Sequence, residues 1–120
     1  MYDSYGIVRL ALKYERLFEN DFERIRNQKE FYMNELRGII EQADDALELE
    51  SEQIADWGKN IQTVYEVDDA NTLWKKFELF LMKLYVNRMY SKAVEETRKL
   101  QIGKEKLEKL LHRLVLLSAF

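Results

Sequence analysis

The sequence contains no cysteine and no proline, and only four glycines among its 120 residues. Without cysteine there is neither a disulfide nor a thiolate metal site, and such usage fits a reducing cytoplasm. The missing proline and scarce glycine argue against a β architecture, whose turns depend on both residues. His112 is the one histidine. A single histidine supplies neither the paired Glu-x-x-His of di-iron bundles nor a zinc-hydrolase ligand set, and no Ser-His-Asp or Cys-His constellation is present. Placed on a helix, His112 falls on the polar, Lys-rich side, so it reads as a solvent histidine beside Glu108. Gly6, Gly38, Gly58 and Gly103 stand alone, so no glycine-rich phosphate loop exists. No apolar run approaches the roughly 18 residues of a membrane span, and Met1-Tyr2-Asp3-Ser4 does not open a signal peptide. These absences lead us to expect a cytoplasmic chain with no membrane contact, no metal and no cofactor.

What remains is 47% hydrophobic and 34% charged residues, the composition of an all-α protein. The length suits a single helical domain over 1–120, able to bury about two-thirds of its unfolded surface. Ile7, Leu10, Ala11, Tyr14, Leu17, Phe18, Phe22 and Ile25 recur at helical spacing, with Asp3 or Ser4 as the cap. The rhythm weakens at Asn27–Glu30 and resumes on Tyr32, Leu36, Ile39, Ile40, Ala43, Ala46 and Leu47. Ser51 is placed to cap a shorter helix through Ile54, Trp57, Ile61, Val64 and Tyr65. Asp68-Asp69 marks the break before a central helix from about Ala70 to Leu100, with Gly103 as its stop. A last helix follows on Leu107, Leu110, Leu111 and Leu114. The expected fold is a bundle of four to five helices with a long central helix.

That central helix carries the most informative segment. Seven of the eight residues from Leu79 to Val86 are apolar, and on a helical projection they divide between two faces. Leu73, Trp74, Phe77, Phe80, Leu81, Leu84 and Tyr85 form the first face, expected to be core together with Trp57. Leu79, Met82, Val86, Met89, Tyr90 and Ala93 form the second. A helix apolar nearly all round must be covered nearly all round. We therefore take Leu79, Met82, Val86, Met89 and Tyr90 as the candidate partner interface, to be covered by a protein partner or by self-association.

Charge is divided along the chain. Residues 1–70 hold 8 Lys/Arg against 17 Asp/Glu, a net −9, and residues 71–120 hold 11 against 5, a net +6. The basic half can meet RNA or single-stranded DNA, whose phosphates require only clustered cations. Lys76, Lys83, Arg88, Arg98 and Lys99 are candidates for that contact. The acidic half carries Asp44-Asp45-Ala46-Leu47-Glu48 and Glu66-Val67-Asp68-Asp69. This resembles the carboxylate pattern of all-α, Mg²⁺-dependent nucleoside triphosphate pyrophosphatases. The resemblance would give Asp44, Asp45, Glu48, Glu66 and Asp69 the metal, an enzymatic alternative to an interaction protein.

Two segments together resemble a different family. Glu35-Leu36-Arg37-Gly38-Ile39-Ile40-Glu41-Gln42-Ala43 and Leu81-Met82-Lys83-Leu84-Tyr85-Val86-Asn87-Arg88, with an apolar closing helix from Leu107, are similar to the small helical subunit of type III CRISPR effector complexes. The chain has Asn34-Glu35 where that family has Ser/Thr before Leu-Arg, and Val86-Asn87-Arg88 where it has Ala-Gly-Arg. The resemblance implies a non-catalytic subunit of an RNA-guided nucleoprotein complex, active in antiviral defence. It implies contact with nucleic acid through basic helix surfaces at Arg37, Lys83 and Arg88. The expectation is thus a non-catalytic helical interaction subunit of a larger assembly. The alternatives are the pyrophosphatase and a small phage or regulatory protein that binds one protein partner.

Overall fold

A computed structural model describes residues 4–68 and 70–118. They form α1 (Ser4–Asn20), α2 (Phe22–Asn27), α3 (Lys29–Tyr65) and α4 (Leu73–Ser118), with no strand among them. The all-α class, the helix count and the long helix are as expected. Together the helices make a rod of 72 × 21 × 19 Å.

Only two breaks interrupt residues 4–65. Asp21 and Gln28 lie outside helical geometry and turn the chain through the short α2. Past Gln28, α3 runs for 37 residues without interruption. Ser51 is therefore mid-helix and not a cap. Likewise α4 continues through Gly103 for 46 residues, merging the expected central and last helices into one. Its start is capped by Thr72, whose Oγ1 accepts the Lys75 N–H at 3.1 Å. Asp69, expected to lie near this start, and Asp3 are outside the described residues.

The continuity of α4 follows from a pattern that overrides the local glycine signal. Leu79, Val86, Ala93, Leu100, Leu107 and Leu114 recur every seven residues. All but the half-buried Leu79 are buried, Leu100, Leu107 and Leu114 completely. On α3 the matching seam is Leu36, Ala43, Glu50, Trp57 and Val64, all buried or half-buried. Seven-residue repeats keep two helices in contact along a shared seam over many turns. The pair is antiparallel: Asp44 meets Lys104 near the base, and Asn87 Nδ2 donates to Tyr65 Oη at 2.8 Å near the far end.

Helix α1 adds a third member at the base only. It packs on α4 and, more lightly, on α3. Ile7 and Val8 lie over Gly103, Tyr14 Oη donates to Glu35, and Arg113 stands over the Phe18 and Phe22 rings at 5.3 and 5.4 Å. Ile7, Ala11, Phe18, Leu36, Leu107 and Leu114 anchor this three-helix core. Ser4 begins α1 beside Glu96 and Lys99. From Glu96 up to Leu73, about 35 Å of α4 at 1.5 Å per residue, α3 is the one helix among the described residues that accompanies it.

Candidate partner-docking surface

The two-helix end shows the apolar surface that the sequence pattern implied, but on the other face. Leu73, Trp74, Phe77, Phe80, Leu81 and Leu84 are between 48% and 86% exposed. We expected this face to be core, and the structure corrects that. Of the second face, Val86 and Ala93 are buried on the α3 seam, Leu79, Met89 and Tyr90 are half-buried, and Met82 is exposed. The physical reason lies in the seam. Helix α3 follows the seven-residue repeat that persists from Leu79 to Leu114, and a hairpin partner can cover only one side of α4. The bulkier aromatic face sits about 140° round the helix, where α3 does not reach. Trp57, also expected in the core, is half-buried against α4, and Trp74 stands out in the open.

The exposed face has its own order. Leu73 and Phe80 lie seven residues apart, as do Phe77 and Leu84, and Trp74 and Leu81 flank them. That spacing is a second coiled-coil seam about three turns long, present without a facing helix. Side-chain contacts hold its surroundings in place. Trp57 meets Tyr85 edge to face at 5.8 Å, and Trp74 leans on Phe77 at 6.1 Å. Lys83 Nζ sits 4.8 Å from the Tyr65 ring centre. Beside the seam, Asn60, Thr63 and Val64 of α3 and Leu81, Met82, Tyr85 and Val86 of α4 line a groove of about 540 Å³. Taking about 150–250 Å² for each large side chain, the seam with Met82 and Tyr85 exposes on the order of 900 Å². The largest apolar patch of a typical monomer is about 300–600 Å².

The basic candidates do not converge on one patch. Lys76 and Lys83 share one edge of the exposed seam. Arg88 and Lys99 lie along another line of α4, and Arg98 is held by Glu95 at 2.6 and 3.1 Å. That contact lowers the Glu95 carboxyl below its ordinary value, chiefly through the Arg98 hydrogen bond. Arg37 is exposed near the base, level with α4 residues around 110 and so about 50 Å from Lys76.

The carboxylates of the pyrophosphatase pattern are also separated. Asp44 pairs with Lys104, and Asp45 and Glu48 face solvent. Glu66 closes the far end of the same straight helix, about 33 Å from Asp44. Asp69 lies outside the described residues. No group of three His, Asp or Glu side chains able to hold a metal occurs among the described residues. His112 is exposed. No described helix is long and apolar enough to cross a membrane.

Sequence reading missed one polar feature, Glu50. It occupies a seam position of α3 that the seven-residue spacing Leu36-Ala43-Glu50-Trp57-Val64 identifies. Its Oε2 is buried without a hydrogen-bond partner. Burial, and then the nearby Glu96, push its carboxyl above the ordinary value. The charged form is therefore penalised in the folded chain at neutral pH, and the penalty fades as pH falls through the raised value. Glu50→Gln is expected to stabilise the protein by roughly 1 kcal/mol at pH 7. That difference should shrink toward zero in acid. Urea unfolding of both chains across pH checks this, and a constant difference would refute it.

No protein-family model matches the chain, and no curated protein or solved structure does.

Proposed function

We propose that this chain is a non-catalytic helical interaction subunit of a larger assembly, docked through the outer face of α4. One observation carries the reading: a second seven-residue apolar seam, Leu73–Phe77–Phe80–Leu84, ordered but unaccompanied by any helix of its own fold. Exposing so much aromatic surface to water is unfavourable at about 25 cal/mol per Å², and a docked partner removes that cost. The three-helix base acts as the scaffold, and the two-helix arm presents the surface.

Phe77→Glu combined with Leu84→Glu tests this. Both residues are exposed, so the variant should keep its helix content and unfold within about 0.5 kcal/mol of wild type. Light scattering should show association in the wild type, with itself or with an added partner, and none in the variant. Unfolding of the double variant would place these residues in a core and overturn the reading. The finer version, a small subunit of an RNA-guided nucleoprotein complex, draws on the resemblance around Arg37 and Leu81–Arg88. It requires single-stranded RNA or DNA binding that strengthens as salt falls, and the absence of binding at low salt would remove it.

A further inference from the structure

Resting on that docking role, we infer that the occupant of the arm is an acidic amphipathic helix of another protein. The first ground is the geometry of the seam. Leu73, Phe77, Phe80 and Leu84 step by four, three and four residues, the core spacing of a two-stranded coiled coil. Lys76 and Lys83 hold one flanking position of that repeat, and Trp74, Leu81 and Arg88 hold the other. A seam of this spacing receives the core side chains of one further helix.

The second ground is charge. Between Leu73 and Lys92 the chain carries Lys75, Lys76, Lys83, Arg88 and Lys92 against the single acid Glu78. None of the ion pairs among the described residues involves these five cations. Lys76 and Lys83 line one edge of the exposed seam, and Arg88 ends the other. This arrangement disfavours a second copy in either orientation. Antiparallel pairing of the seam brings Lys76 against Lys83 of the other copy, and parallel pairing brings Lys83 against Arg88. A helix with acidic flanks meets cations on both edges. The exposed area, on the order of 900 Å², matches the roughly 800 Å² that each partner contributes to a standard interface.

The test uses the full chain carrying Trp57→Phe, which leaves Trp74 as the sole tryptophan reporter. The probes are two synthetic helices of about three heptads, with leucine at both seam positions and either glutamate or lysine on the flanks. The glutamate-flanked helix is expected to shift Trp74 emission to the blue and to bind roughly tenfold more tightly than its lysine twin at low salt. The gap should narrow as salt rises, and Leu84→Glu should abolish binding. Equal binding of the two peptides, or binding of neither, overturns the inference. So does a stronger Trp74 shift on phosphatidylserine vesicles. Burial of Trp74 by self-association at rising concentration refutes the acidic helix but leaves the docking role standing. If Trp74 stays exposed under every condition, both fail.

Discussion

Leu107→Ala lowers the unfolding free energy by about 3 kcal/mol, within the range of about 2–5 kcal/mol for truncating a buried leucine. Leu107 is fully buried in the one region where three helices meet, and the core there draws residues from α1, α3 and α4. The methyl groups removed leave a cavity that helices pinned on two sides cannot readily close. Domains of this size have about 5–15 kcal/mol of stability in total, so this single change takes a large part of it. Leu84, of the same chemistry on the same helix, is 53% exposed, and Leu84→Ala should change stability by no more than about 0.5 kcal/mol. Urea unfolding of the pair measures the contrast. Equal losses would mean that the arm is as well covered as the base, and the description of an open arm would fail.

That contrast also shows which features of the sequence could be read directly. The all-α class follows from the missing proline and the helical spacing, and Ile7, Ala11, Tyr14 and Phe18 were legible as the buried stripe of α1. Leu36, Ile39, Ala43 and Ala46 were equally legible on α3, and Leu107, Leu110 and Leu114 on α4. Helix ends were read less well. Ser51 and Gly103 carry ordinary cap and stop signals, yet both lie inside long helices, because a seam repeated every seven residues outweighs one local preference. The Leu79-to-Leu114 repeat runs unbroken through Gly103, and following it would have joined the two helices.

The candidate docking face was read with its two sides exchanged. Trp74, Phe77, Leu81 and Leu84 are the bulkier set, and hydrophobicity alone assigns the bulkier set to the core. Burial here depends instead on where α3 can lie, and that is fixed by a seam that runs on beyond the arm, through Leu100, Leu107 and Leu114. Which of two apolar faces a hairpin covers is a tertiary matter that a local window does not contain. Glu50 illustrates the same point, since its burial follows only from its place in the α3 repeat.

Gly103→Leu is expected to cost roughly 1–3 kcal/mol through overpacking, and to displace α1. A Cβ at this position would lie 3.4 Å from both Ile7 Cγ2 and Val8 Cα. The first neighbour is a side-chain methyl that can shift a little. The second is backbone and moves only with the whole of α1. A bare methyl therefore fits at ordinary contact distance, and Gly103→Ala should fall near wild type, its helix-propensity gain of up to about 1 kcal/mol offset by the tighter fit. Leucine adds three more carbons against the α1 backbone. Gly38 provides the control, because a Cβ there meets nothing within 4 Å, and Gly38→Ala should gain the propensity term of about 1 kcal/mol nearly in full. The expected order of stability is Gly38→Ala, then wild type with Gly103→Ala, then Gly103→Leu. Amide exchange should speed up in α1 of Gly103→Leu before it does in the α3–α4 seam around Leu100. A Gly103→Leu chain as stable as wild type, with α1 still protected, would show that α1 does not rest on this glycine.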